Sequence, residues 1–313
     1  GIQPRSCLGQ RSDGSVLMLI VDGRQIGYSI GATVGDCADI LEKYGAINAA
    51  NNCYDKEKPS IQSQLLDSLQ IKKKIKVLKA SDENGVNTDL QIKGLNVSWA
   101  EIEYLNNNGK QVKGYLWKGF IALGFFTTEK FTYLTTIDRV DKKVETEQYE
   151  PELFSVSIKV LDLNNSIVGQ RTIKKEIGES HYFQNKAIGN LGLKGLENIY
   201  RISFSGEACG IPTLYYYHGW NGKNFLELPE KYDISDAGVY YHSEDFIFPK
   251  ENGGKQDVIL KKVEEGQYDE DSFTHNNYVT HVTKWTETFK WDGQKAVFIS
   301  KSKPVKSRRK ESN

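Results

Sequence analysis

The sequence predicts a mainly β protein: a short α/β segment, then a small barrel, then a larger β-rich domain of sandwich or blade-like type. Two observations carry this. From Ile71 onward apolar residues recur with period two in runs of strand length, as in Phe154-Ser155-Val156-Ser157-Ile158-Lys159-Val160. Turn sequences rich in Asn, Asp and Gly separate those runs, as in Asn106-Asn107-Asn108-Gly109 and Asp162-Leu163-Asn164-Asn165, and no long helical period interrupts 124–300.

Taken in order, Val16–Val21 reads as a buried-type strand, opened by Ser12-Asp13-Gly14-Ser15 and closed by Asp22-Gly23. Thr33 then serves as a helix N-cap with Asp36 three residues on, close to a capping box. The predicted helix over 34–43 places Val34, Cys37, Ala38 and Leu41 on one face. Lys43 suits its C-terminal end and Gly45 sits just past it. A short strand follows at 47–50. Residues 53–70 read as a polar linker, with a short amphipathic helix over 60–69 on Ile61, Leu65, Leu66 and Leu69. Within it, Pro59 disfavours a helix running into it.

Residues 71–122 read as the small barrel. Ile71, Lys73, Ile75 and Val77 alternate, a turn follows at Ser81-Asp82-Glu83-Asn84-Gly85, and Leu90 to Gly94 and Val97 to Tyr104 form the next runs. The block closes on Gly114-Tyr115-Leu116-Trp117. Short strands, Gly/Asn turns and this aromatic ending resemble a bacterial Src-homology-3-like domain. That resemblance implies a ligand face, for which Tyr104, Tyr115 and Trp117 are the candidates.

In 124–300, Ile199-Tyr200-Arg201-Ile202-Ser203-Phe204 is a further alternating strand, and Tyr215-Tyr216-Tyr217 runs on to Trp220-Asn221-Gly222. Trp291-Asp292-Gly293 repeats that ending some 70 residues later. Asn-Gly and Asp-Gly are strong hairpin turns, and a Trp beside the turn covers the hairpin face. Two such hairpins suggest a repeated sheet unit. The region resembles β-rich envelope proteins of Bacteroidetes that carry the same barrel in front, which implies an exported, periplasmic or cell-surface location. The tail 301–313, with Arg308-Arg309-Lys310, reads as solvated and disordered.

Composition narrows the function. The 313 residues carry 41 basic and 41 acidic side chains, so the balance gives no reason to expect nucleic acid as the partner. The longest apolar run, Val16–Val21, is far short of the roughly 18–20 residues that cross a bilayer as a helix. Cys7, Cys37, Cys53 and Cys209 have no metal-site spacing and read as buried thiols, although their even number permits disulfides in an exported protein. Neither a metal nor a cofactor is expected. The loop Lys250-Glu251-Asn252-Gly253-Gly254-Lys255-Gln256-Asp257 lacks calcium-loop spacing and reads as a hairpin loop. Cys209, with His218 and His242 downstream, lacks a cysteine-nucleophile signature and reads as packing or a turn.

The first 52 residues tell a different story. Pro4-Arg5-Ser6, then Asp22-Gly23-Arg24 through Ser29 to Gly31-Ala32-Thr33, then Tyr44-Gly45-Ala46-Ile47-Asn48-Ala49-Ala50-Asn51 resemble the C-terminal part of a bacterial phosphodiester glycosidase domain. The resemblance implies that Arg5, Arg24, Ser29 and Asn51 bind a sugar-1-phosphodiester, guanidinium forks matching phosphate oxygens. The sequence departs where the family's Leu-Asp-Gly-Gly turn belongs: Asn52-Cys53-Tyr54-Asp55 stands there instead. No catalytic residue is therefore assigned. With Met18 the single methionine and Gly1 first, a truncated or processed glycosidase-like piece is expected here. The whole reads as a non-catalytic envelope protein that binds cell-wall glycan or peptide, with a divergent phosphodiester glycosidase as the alternative.

Overall fold

The computed structural model describes residues 5–10, 16–21, 53–56, 64–80, 93–95, 97, 99–142, 152–206, 208–237, 239–269 and 278–311. The predicted helix over 34–43 lies outside them. The chain divides into two compact units, Gly1–Gln91 with Asn96–Ile121, and Ile92–Leu95 with Ala122–Asn313. As predicted, the protein is mainly β, and its sheets are antiparallel.

In the first unit, β1 (Arg5–Gln10) and β2 (Val16–Val21) pair as a two-stranded sheet, Arg5 opposite Val21. A second sheet comprises β3 (Cys53–Lys56), β4 (Leu65–Leu69), β5 (Lys76–Ala80), β6 (Trp99–Leu105) and β7 (Gln111–Trp117). Its order is β4-β3-β7-β6-β5, and among the described residues the outer strands do not pair, so it is an open sheet and not the expected barrel. Closure needs the end strands to share a coordinated tilt and stagger. Here β3 joins β7 through a single described pair, Lys56 opposite Tyr115. The segment read as linker and helix supplies β3 and β4. Its leucines at 65, 66 and 69 fit a helical spacing, but hydrogen bonding to β3 settles them as strand, with Leu69 buried. Opposite each other across β6 and β7, Trp99 and Trp117 are both buried, and Leu69, Ala100, Ile102, Tyr104 and Leu116 form the core beside them. The predicted turn between these strands holds: the Asn106 carboxamide oxygen accepts the Asn108 and Lys110 N–H groups, and Gly109 takes φ +72°.

The second unit opens with a four-stranded sheet: β8 (Gly124–Thr127), β9 (Thr132–Lys142), β10 (Glu152–Leu161) and β11 (Ile167–Glu176), ordered β11-β10-β9-β8. A ten-stranded sheet follows. It comprises β12 (Tyr182–Ala187), β13 (Asn198–Ser205), β14 (Thr213–Trp220), β15 (Phe225–Glu227), β16 (Lys231–Asp236), β17 (Tyr240–Ile247), β18 (Val258–Tyr268), β19 (Tyr278–Trp291), β20 (Ala296–Lys301) and β21 (Val305–Glu311). The alternating residues Val156, Ile158 and Val160 of β10 meet Tyr200, Ile202 and Phe204 of β13 and Tyr216 and Trp220 of β14 in one core. The opposite faces of β13 and β14 are covered as well, where Ile199 and Tyr217 join Leu193, Leu196, Phe248, Ile259 and Trp291 in a second core. β14 is therefore buried on both sides.

Both Trp-Asx-Gly hairpins are present, Trp220 opposite Phe225 and Trp291 opposite Ala296. Their turns are displaced by one residue from the expected Asx-Gly centre. The Asn221 carboxamide oxygen accepts the Lys223 and Asn224 N–H groups, and the Asp292 carboxylate does the same for Gln294 and Lys295. Asn221 and Asp292 thus precede the centre, and Gly222 (φ +91°) and Gly293 (φ +96°) take its first position, where a side chain is disfavoured. The tail predicted to be disordered is instead β21, paired with β19 from Tyr278 opposite Glu311 to Lys284 opposite Val305. Its charge is anchored: Glu264 accepts hydrogen bonds from Arg309, at 2.9 Å, and from the Tyr241 hydroxyl, at 2.6 Å. Lys284 lies 2.6 Å from the same carboxylate. Burial alone would raise the Glu264 pKa, but these three partners hold it down at about 2.

Candidate functional site

The glycosidase-type residues fall mainly outside the described residues: Arg24, Ser29 and Asn51 are among the undescribed, and Arg5 is placed only by its backbone in β1. Of the ligand-face candidates, Tyr104 and Trp117 are buried, at 4 % and 1 % exposure. The Trp117 indole N–H donates to the Val97 carbonyl at 2.9 Å, its ring meets Phe120 edge-on, and the Tyr104 hydroxyl donates to Asp67 at 3.1 Å. Tyr104 belongs to the core with Ala100, Ile102 and Leu116, whereas Trp117 stands opposite Trp99 at positions that alternate to the other face, where both are buried. Tyr115 is half-buried.

Residues of the second unit converge on a groove of about 360 Å³ that the sequence reading did not single out. Gln170 and Arg171 come from β11, Trp220 from the end of β14, Lys223 and Asn224 from the hairpin turn, and Phe225 from β15. Arg171 pairs with Glu227 of β15. The Gln170 amide donates to Ser157 at 3.3 Å. Trp220 is fully buried against Phe225 and Phe131, and its indole N–H has no protein partner. Only a glycine at 169 allows this: a Cβ there would stand 2.3 Å from the Trp220 ring.

His218 lies two residues before Trp220 on β14, opposite Tyr200 and Glu227 on the flanking strands. It is buried, Phe225 packs edge-on to its ring, and neither nitrogen has a protein partner. Burial pushes its pKa down to about 3, with the charges of Arg171 and Lys175 adding to the effect, so the ring is neutral at ordinary pH. Amides, cations and rings thus meet at one concavity, a combination suited to holding a polar ligand by hydrogen bonds and ring contacts.

The other polar concentration lies on β16 to β19. Buried Glu244 accepts the Tyr232 N–H at 3.0 Å and the Lys261 ammonium at 3.0 Å, and Lys261 also reaches Glu287 at 3.2 Å. His242 stacks on Tyr232 with centroids 4.3 Å apart, and its nitrogens lie 3.0 Å from Glu265 and 3.3 Å from Glu244. Burial opposes the charge on Lys261, but the two carboxylates outweigh it and raise its pKa. These contacts link β16, β17, β18 and β19, while the buried His242 Nε2 makes no hydrogen bond. Cys209 is an exposed free thiol, and the loop between β17 and β18 is a hairpin loop, its Glu251 carboxylate accepting the Phe248 N–H at 2.7 Å. No helix among the described residues is long and apolar enough to cross a membrane.

Among the described residues the protein is mainly antiparallel β-sheet, and its second unit carries an amphipathic groove. Residues 1–51 match the family described as phosphodiester glycosidase, the family the N-terminal motifs resemble. No curated protein matches the chain. No solved structure matches it either.

Proposed function

We propose that the β-rich region is a non-catalytic binding or scaffolding module that acts at the cell envelope and holds a glycan in the groove at Trp220. The observation that supports it is the convergence of Gln170, Asn224, Arg171, Lys223 and the ring of Phe225 on one concavity. Amides and cations recognise sugar hydroxyls or acidic substituents, and the ring offers an apolar contact for a sugar face. Isothermal titration of the full chain against soluble peptidoglycan fragments and wall glycans tests this. At least one is expected to bind, and Lys223→Ala with Asn224→Ala is expected to weaken it about tenfold, near 1.4 kcal/mol. A panel without binding, or a variant that binds equally well, removes the reading.

The match over residues 1–51 favours a second reading, in which the chain hydrolyses sugar-1-phosphodiesters with Arg5, Arg24, Ser29 and Asn51 as substrate-binding residues. It requires release of sugar from a chromogenic sugar-1-phosphodiester above the buffer rate, diminished in Arg5→Ala and Arg24→Ala. A wild-type rate equal to the blank ends it.

A further inference from the structure

β20 and β21 follow one another along the same side of β19, β20 against Glu287 to Trp291 and β21 against Tyr278 to Lys284. Among the described strands nothing pairs with their outer side, so they form one long open edge of the ten-stranded sheet. An open edge presents unpaired N–H and C=O groups, a template for another strand. The two halves of this edge differ in chemistry. In β20, Val297, Phe298 and Ile299 are consecutive and exposed at 43 %, 54 % and 54 %, so neither face of that strand is covered. Ile299 stands at a register shift, which interrupts β20 and leaves β21 as the longer regular stretch. From Lys301 to Lys310 every ionisable side chain is basic and exposed: Lys301, Lys303, Lys306, Arg308, Arg309 and Lys310. A basic edge repels a second copy of itself and accepts an acidic strand.

From this juxtaposition we infer that the β20–β21 edge captures an extended acidic peptide segment by strand addition. The peptide's main chain hydrogen-bonds along β21, its carboxylates lie beside Lys306 and Lys310, and its apolar end covers Val297, Phe298 and Ile299. Running antiparallel to the edge, such a peptide carries its acidic residues at its N-terminal half. Main-chain bonds supply affinity, and the side-chain pattern supplies selection.

The test uses the full chain and a fluorescein-labelled peptide of consecutive glutamates followed by alternating threonine and valine, read by fluorescence anisotropy. Saturable binding is expected, weakening as salt rises because exposed charges are screened. Lys306→Glu with Lys310→Glu is expected to weaken it about tenfold or more, as is Ile299→Asp, with circular dichroism confirming the fold; if Ile299→Asp fails to fold, Val297→Glu takes its place. A peptide N-methylated at alternate glutamates, which keeps its carboxylates but cannot donate those hydrogen bonds along β21, is expected not to bind. Equal binding of the methylated peptide would reduce the edge to a polyanion contact and overturn strand addition. No binding up to about 1 mM would overturn it too. Self-association in sedimentation that Ile299→Asp abolishes would assign the edge to a second copy and overturn the proposed partner.

Discussion

Acidification tests the reading of His218. Its ordinary pKa of 6.5 falls to about 3 in the folded chain. The unfolded chain therefore takes up a proton near pH 6.5, and the folded chain does so only near pH 3. The stability this group contributes is complete above pH 6.5 and drains away as pH falls from there toward 3. At pH 5 the unfolded ring is almost fully protonated, which favours unfolding by about 2 kcal/mol relative to pH 7. The window from pH 7 to 5 separates this loss from that of Glu264, whose pKa of about 2 against an ordinary 4.5 withdraws stability only at lower pH. The assay is urea unfolding followed by hydrogen–deuterium exchange of the peptide covering β14, for wild type and His218→Leu. The leucine variant alters packing and thus the absolute stability, but it carries no titrating group at 218. The wild type is expected to lose about 2 kcal/mol more than the variant over that window. Parallel losses in both chains would refute the argument, because they would mean that the ring takes up its proton equally in the folded and unfolded states.

Two further changes probe packing and buried charge in the same assay. Gly169→Ala drives a methyl group into the Trp220 ring and is expected to cost about 1–3 kcal/mol, whereas the same change at Gly178, where a Cβ meets nothing within 4 Å, is limited to its backbone penalty at φ +58°. Glu244→Ala removes the acceptor of the Tyr232 N–H and one of the two carboxylates on Lys261, and is expected to cost about 3 kcal/mol. Glu244→Gln keeps an acceptor for the Tyr232 N–H and is expected to cost less; an equal loss would show that charge alone, not the backbone bond, sets the energy.

The sequence revealed periodicity well and partnership poorly, and the difference is physical. Val16–Val21, the strand around Phe154 to Val160 and both Trp-Asx-Gly hairpins are local patterns, set by side-chain alternation and by turn chemistry within a few residues. The turn register was hidden because Asn221 and Asp292 act through their side-chain oxygens, which moves the glycine to the first central position. The tail was misread because a basic run has the same composition whether it is solvated or lies along a sheet edge; only its pairing with β19, and Glu264 beside Arg309, decides between them.

The groove was invisible for a related reason. Gln170 and Arg171 stand some 50 residues before Lys223 and Asn224, and no spacing rule links them. They meet because Gly169 lets the β11 backbone approach the Trp220 ring on the facing sheet. A glycine inside a strand pattern is the one local sign of such an approach. His218 carried less signal still. In Tyr215-Tyr216-Tyr217-His218 alternation cannot mark an inward face, because both faces of β14 are buried, Tyr216 in one core and Tyr217 in the other. A histidine in such a strand is forced inside whichever way it points. Its effect is then set by what it meets there, Phe225 beside it and two cations nearby, which makes its neutral form a property of the packing of two sheets and not of any motif.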